Sequence, residues 1–414
     1  MNKSDVAIFT VTNIAYLHKA LVLARSIQQY NHEVLNIYII DRKVDINLPE
    51  KLANFVWIED LNIDKFLNIA FKYDITELST SVKPLITLDL LQNHHKVLFF
   101  DPDIRLYASV SSIIDLLDDD PIILTPHYTT PQDPSLENSD VGMLRFGSFN
   151  LGFFAVNRSN QSNDFLAWWH SRCMHLCYFE TQFGLSTDQK WVSIAPCLFP
   201  QLKISFDLGY NVAFWNMHER VLSRNSSGNV IINGEYPLIF FHFSSFHNFD
   251  PHLLSTRPFA EKNTSRNDWY QLAKDYQKEL LEFKKIYEEI KYGYDYMSDG
   301  SYISPTLRRA YASIEKEISG QHDPFDSNGL VHAFAKSNHL LSKHSAGFTP
   351  LGFEDKDIHK YKMKMIYLAL RFILLVLGPN AFSNFSRLLV YLSSYRQNRG
   401  LWKYSDKEVR KAGA

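Results

Sequence analysis

The alternation of β-rich runs with helical patterns over the first ~250 residues constrains this chain most. Val6 to Thr10 reads as a strand, and Tyr16 to Tyr30 as a helix carrying Leu21, Leu23, Ala24 and Ile27 on its apolar face. Leu35 to Ile40 reads as a second strand that ends at Asp41. Strand, helix, strand implies parallel pairing through a crossover, and hence an α/β sheet. The pattern continues with strands at Phe55 to Ile58, Val97 to Phe100, Ile122 to Thr125, Gly152 to Val156 and Leu238 to Phe243. Helices are expected at Ser81 to Gln92 and, Trp-rich, at Asn163 to Cys177.

After Pro258 the pattern changes. Trp269, Leu272, Tyr276, Leu280, Phe283, Tyr287 and Ile290 recur at spacings of three and four, which marks a long helix. Tyr292 to Phe353 is polar and weakly periodic, with no element expected. At 414 residues and 45% hydrophobic, the chain exceeds the usual single domain and can bury a large core. The expected division is a catalytic domain over residues 1–260 and a helical C-terminal region over 261–414, with a distinct tail from about 360 to 414.

Cysteine usage and the chain start point to a cytoplasmic protein. Cys173, Cys177 and Cys197 are too few, and odd in number, for a disulfide framework. Cys173 and Cys177 stand four apart on a helix near His170 and His175, a spacing that suits a metal site or, more commonly, small buried thiols. Met1 to Asp5 leads straight into a strand without the layout of a signal peptide.

The net charge of -2 hides an asymmetry, because residues 360–414 carry 11 Lys and Arg against 2 Asp and Glu. Within this tail, Met365 to Leu377 is apolar except for Arg371 and is 13 residues long, short of the ~20 that cross a bilayer. Gly378-Pro379 ends it, and Phe382 to Trp402 then mixes apolar residues with Arg387, Arg396 and Arg399. Two readings follow: a basic amphipathic segment on an anionic membrane surface, or a helical cap matched to the acidic body. No nucleic-acid motif accompanies the charge, so nucleic acid is not an expected partner.

The chemistry centres on Asp101-Pro102-Asp103, which ends the Val97 to Phe100 strand. Two carboxylates at the carboxyl edge of an α/β sheet offer oxygen ligands to a divalent cation; an exposed Asp-Pro-Asp turn has the same composition. Several other segments bear chemistry of the same kind. Lys83-Pro84 opens a helix, as a phosphate-neutralising cation or a solvated Lys would. Asn150-Leu151-Gly152 suits a hydroxyl-rich ligand or a β-turn, and Thr187-Asp188-Gln189 a site or a helix cap. His242 lies in an apolar strand, where a core histidine is the usual case. Together they supply what metal-assisted transfer from a nucleotide diphosphate requires.

In this order the motifs resemble the GT-A glycosyltransferases, especially glycosyltransferase family 8 and related bacterial sequences, over about residues 5 to 260. The resemblance implies a GT-A mixed sheet flanked by helices, with a C-terminal helical extension. It implies Asp101, Asp103 and His242 as ligands of Mn²⁺ or Mg²⁺, and Thr10, Thr12, Asn13 and Tyr16 as the base and ribose pocket. Lys83 would lie by the donor phosphates or sugar, and Arg257 would replace the family's phosphate-binding Lys. Asn150, Asp188 and Gln189 would face the sugar ring and reacting carbon. Gly209 to Arg220 is similar to a block found in a subset of these bacterial sequences.

The implied activity is transfer from a nucleotide diphosphate sugar, a UDP-linked donor being the first choice, to a glycan or lipid-linked acceptor with retention of configuration. Inversion with Asp188 as general base is the mechanistic alternative. A metal-dependent sugar nucleotidyltransferase is the competing enzyme, and a silent glycan-binding protein with Trp168, Trp169, Trp191 and Trp215 as stacking surfaces is the competing non-enzyme. The expected location is the cytoplasm, at the inner face of the membrane if the tail binds lipid.

Overall fold

The structure is a computed structural model that describes residues 5–133, 140–246, 250–256, 266–287, 290–318, 323–342, 360–392 and 398–402. The chain divides into two compact units, one of Met1–Asp64 with Ile75–Gly293 and one of Lys65–Asp74 with Tyr294–Ala414.

The first unit is built on a seven-stranded sheet. Its strands are Val6–Thr12 (β1), Leu35–Ile39 (β2), Asn54–Trp57 (β3), Lys96–Phe100 (β4), Ile122–Pro126 (β6), Phe149–Asn157 (β7) and Leu202–Ile204 (β10). Their order across the sheet is β10-β6-β7-β4-β1-β2-β3. β1 runs parallel to β2 and β4, β2 parallel to β3, and β6 parallel to β10, whereas β7 runs antiparallel to both neighbours. The sheet is therefore mixed, flanked by helices, as the α/β expectation requires. β1 and β4 are buried along their whole lengths and are predominantly apolar, the pattern of strands covered on both faces. Phe9, Phe99 and Phe154 from three adjacent strands form one aromatic layer, with Phe9–Phe99 and Phe99–Phe154 ring centroids 5.0 and 5.2 Å apart.

Shorter pairings complete this unit. Ile104–Leu106 (β5) pairs antiparallel with Phe240–His242 (β14), and Phe179–Glu180 (β8) with Leu185–Ser186 (β9). Leu222–Arg224 (β11), Val230–Ile232 (β12) and Tyr236–Pro237 (β13) form a three-stranded antiparallel sheet. Of the flanking helices, Asn160–Leu176 lays the fully buried Trp169 edge-on against Phe154, centroids 5.0 Å apart, so Trp169 is core rather than a stacking surface. Cys173 and Cys177 are buried thiols outside any disulfide, Cys177 Sγ lying 3.3 Å from Thr80 Oγ1, and Cys197 is exposed. The helix Tyr270–Tyr287 confirms the late three-and-four periodicity, with Leu272, Tyr276, Leu280 and Tyr287 buried. The helix expected over Ser81 to Gln92 is present as Lys83–Leu90, with Pro84 in its first turn, where its missing N–H is harmless, and a separate helix, Ile75–Ser81, precedes it.

The second unit contains helices Phe66–Lys72, Pro305–Ile318, Leu330–Ser337 and Lys360–Leu392. Phe66–Lys72, Pro305–Ile318 and Leu330–Ser337 fall where no element was expected. Leu307, Ala310, Tyr311 and Ile314 are all buried and spaced three, one and three apart, a helical stripe short enough to be lost among polar neighbours. The buried Arg308 guanidinium donates to the carbonyls of Ala70, Phe71 and Tyr73 at 2.9, 2.9 and 2.7 Å, capping the end of Phe66–Lys72, and pairs with Asp295 at 2.8 Å. The tail follows its expected division: Lys360–Leu392 is two helical segments that meet at the non-helical Gly378, followed by Pro379. Its stretch Met363–Leu392 is long and apolar enough to cross a membrane by length and composition, and no share of its most apolar window is buried.

Candidate functional site

The site forms where β4 ends. Asp101 follows Phe100, and its N–H donates to the Gly152 carbonyl at 2.7 Å, extending the β4–β7 ladder by one residue. The chain then turns through Pro102 into β5, and β14 pairs with β5 so that His242 lies opposite Ile104. The Phe243 N–H donates to the Asp103 carbonyl at 2.9 Å and closes this end of the pair. Antiparallel pairing thus carries a histidine 139 residues downstream to the acidic turn. His242 Nε2 lies 3.0 Å from Asp103 Oδ1 and 3.9 Å from Asp101 Oδ2. Among the described residues, Asp101, Asp103 and His242 form a group whose ligand atoms all lie within 4.8 Å of one another.

Charge organises the surroundings. Burial pushes the Asp103 carboxyl up, but the adjacent His242 and Lys19 outweigh it and hold it at about 2, so Asp103 is ionised at neutral pH. Lys19 Nζ lies 4.0 Å from Asp103 Oδ2 and 4.4 Å above the half-exposed Tyr16 ring. Lys83, buried in the first turn of its helix, donates to the Leu151 carbonyl at 2.9 Å and lies 3.2 Å from Asp101 Oδ1 and 3.6 Å from Asp188 Oδ2. Burial alone would lower the pKa of this ammonium; Asp101 and Asp188 more than offset it and keep Lys83 charged. At Asp188 the balance reverses: burial raises its pKa despite Lys83, and Asp101 adds to the rise.

Asp188 and Gln189 open the short helix Gln189–Val192. Thr187 precedes them with φ 47°, a left-handed conformation costly for a β-branched residue, and its hydroxyl donates to Asp188 Oδ1 at 3.2 Å. Gln189 Oε1 accepts from Leu151 N–H at 3.2 Å and lies 3.4 Å from Asn150 Nδ2, so Asn150, Asp188 and Gln189 share one wall. Thr10 and Thr12 are buried at the carboxyl end of β1, the strand beside β4, and the Thr10 hydroxyl has no hydrogen-bond partner. Asn13 Oδ1 accepts from the Tyr16 N–H at 3.1 Å and starts the turn that presents Tyr16. Arg257 lies outside the described residues.

Asn211 is the main member that the sequence reading did not single out. It sits at φ 52°, which Asn tolerates, and is fully buried. A bridge between Val212 and Phe241 places it beside His242, whose N–H donates to the Val212 carbonyl at 2.8 Å. Its amide donates to Thr125 Oγ1 at 2.9 Å and to Asn150 Oδ1 at 3.1 Å, leaving Oδ1 3.3 Å from His242 Nδ1. Trp215 stands edge-on to His242 and to His127, with centroids 5.1 and 5.5 Å away. Opposite them, Gly152 clears the space: a Cβ there would lie 2.3 Å from His242 Cε1. Lys19 was likewise missed, since one Lys on a helix carries no motif.

The donor set fits a hard divalent cation of the Mg²⁺ or Mn²⁺ kind: two carboxylates and one imidazole, with a buried cation on either side to receive further anionic charge. The arrangement can bind a divalent ion and a polyanion together at a sheet edge.

No protein-family model matches the chain. It is 26% identical over 247 residues to the uncharacterized protein YfnF of Bacillus subtilis (strain 168), covering 57% of this chain and 80% of that protein. It is 22% identical over 246 residues to YfnD of the same organism, covering 57% and 76%. Among solved structures it is similar to mouse xyloside xylosyltransferase 1 at TM-score 0.36 and 13% identity, covering 58% of this chain and 97% of that one. It is similar to the galactosyltransferase LgtC at TM-score 0.38 and 15% identity, covering 67% and 96%, and to the glycosyltransferase GlyE of Streptococcus pneumoniae TIGR4 at 0.37 and 16%, covering 65% and 63%.

Proposed function

We propose that this chain is a metal-dependent glycosyltransferase of GT-A type that moves a sugar from a nucleotide diphosphate sugar to a glycan or lipid-linked acceptor. The observation that carries the reading is the convergence of Asp101, Asp103 and His242 beside the buried Lys83 at the carboxyl edge of the sheet. These three residues would hold Mn²⁺ or Mg²⁺, which when bound supplies Lewis-acid neutralisation of the departing nucleoside diphosphate. Within the catalytic domain, assigned to residues 1–260, Lys83 and Lys19 add positive charge on two sides of the acidic pair. Thr10, Thr12, Asn13 and Tyr16 receive the base and ribose, with uridine as the first choice, and Arg257 contributes to phosphate binding.

Retention of configuration is favoured by the engagement of Asp188. Its Oδ1 accepts from the Thr187 hydroxyl, and its Oδ2, without a hydrogen bond, faces the Lys83 ammonium at 3.6 Å, an ion pair that suits holding the pocket. Gln189 and Asn150, 3.4 Å apart, then orient the sugar at the reacting carbon. The acceptor is placed at the cytoplasmic face of a membrane, in keeping with the basic, apolar tail.

Product analysis tests this. Incubation of a nucleotide-sugar panel with Mn²⁺ releases nucleoside diphosphate from one donor and releases none with EDTA. Pyrophosphate as product would instead establish a nucleotidyltransferase, and tight donor binding without turnover a glycan- or nucleotide-binding protein.

A further inference from the structure

The C-terminal helix Lys360–Leu392 is the largest exposed apolar surface among the described residues. Leu375, Val376 and Phe372 are 81, 65 and 66% exposed, and Met365, Leu368, Leu388, Leu389 and Val390 are also exposed. A helix apolar on all sides is stable only when something covers it. Its charge points to the occupant: residues 360–392 contain five Lys and Arg and no Asp or Glu.

The distribution of those charges is informative. Lys360, Lys362, Lys364 and Arg371 precede a run of 15 uncharged residues, Phe372 to Ser386, and Arg387 follows it. As one straight helix this run spans about 22 Å, short of the ~30 Å hydrocarbon core. It is also not one straight helix. Gly378 takes φ 77° and ψ 166°, a region open in practice only to glycine, and Pro379 lacks the N–H that would bridge the break. In mid-bilayer the freed carbonyls would lack partners, whereas near the headgroups water can reach them. The side following the break is also the more polar, with Asn380, Ser383, Asn384 and Ser386. Each arm of the uncharged run is about 10 Å long, too short to span a leaflet and return, so the run suits lying along the interface.

We infer that this helix lies in the interface of one leaflet of an anionic bilayer, its apolar side chains immersed, the Gly378-Pro379 break within reach of headgroup water, Arg371 and Arg387 at the headgroups, and both ends on the same side. The inference deepens the proposed membrane placement of the acceptor, but vesicle binding does not require turnover, so the two readings fail separately.

The test uses the full chain, added to preformed vesicles of phosphatidylcholine alone or with one-third phosphatidylglycerol. Flotation should recover the protein with the anionic vesicles. Leu375→Glu with Val376→Glu, at exposed sites that leave the fold intact, should abolish recovery; Arg371→Glu with Arg387→Glu should weaken it by ~10-fold or more. Sidedness is read on Leu401→Cys with a membrane-impermeant maleimide, the exposed Cys197 serving as the outside control. Equal labelling of both thiols before detergent is expected. Labelling of position 401 only after detergent would mean that the helix crosses and would overturn the inference, as would absence from the vesicles or dimerisation in their place. Nucleoside diphosphate release is followed in parallel: turnover without flotation removes the membrane inference alone, and flotation without turnover removes the transferase reading alone.

Discussion

The Nδ1 of His242 lies 3.3 Å from Oδ1 of Asn211, and the amide of Asn211 is oriented by its own bonds to Thr125 and Asn150. With Oδ1 the atom that faces the ring, Nδ1–H donates and Nε2 is the nitrogen offered beside Asp103. Outer partners of metal-binding histidines fix the tautomer in this way and contribute one to two orders of magnitude in metal affinity. Asn211→Ala is therefore expected to raise the Mn²⁺ dissociation constant by ~10- to 100-fold, as read by titration calorimetry. Asn211→Asp, which restores the acceptor, is expected to recover part of that loss.

Gly152 tests the same histidine from the other side. A Cβ there would meet His242 Cε1 at 2.3 Å and the ring Nδ1 at 2.7 Å, so Gly152→Ala must displace the imidazole. Destabilisation of about 1–3 kcal/mol is expected in denaturant melts, together with loss of Mn²⁺ binding. Unchanged metal affinity would show that the ring has room elsewhere.

His127 gives a pH signature. Burial lowers its pKa from the ordinary value of 6.5 to about 4. A histidine depressed in the fold is neutral there while still protonated in the unfolded chain, so its contribution to stability is fully present above pH 6.5 and is lost as pH falls to about 4. Stability should rise by up to ~1.4 kcal/mol per pH unit through this window from this residue alone. Urea midpoints measured between pH 4 and 7 should show that slope, and His127→Asn should flatten it.

Asp188 separates stability from function. Its carboxyl is buried and its pKa raised, so ionisation at neutral pH works against folding. Asp188→Asn is expected to leave the melting temperature at pH 7 unchanged or higher while lowering turnover ~10²-fold or more, with Mn²⁺ binding retained. A variant that unfolds at pH 7 would show instead that the Lys83 pair is needed for the fold.

Most of the first unit was legible because its strands are local and strongly apolar. Val97 to Phe100 was read within one residue of β4, and Leu35 to Ile40 within one of β2. Asp101 and Asp103 were legible for the same reason, since they terminate a strand. His242 reached them only through the β5–β14 pairing, which no spacing reveals, and Asn211 only through a bridge between segments 29 residues apart. The Pro305–Ile318 helix was missed because its buried stripe of Leu307, Ala310, Tyr311 and Ile314 is narrow and its remaining positions polar. The tail was divided at Gly378-Pro379, and the break is there, but helical structure resumes beyond it at once.

The most direct test compares the native chain with Asp103→Asn for release of nucleoside diphosphate from the preferred nucleotide sugar across a Mn²⁺ titration, with melting curves run alongside. The account predicts saturable, Mn²⁺-dependent release by the native chain and a loss of ~10²-fold or more in the variant at an unchanged melting temperature. Equal release by both proteins, or release that persists in EDTA, would contradict it.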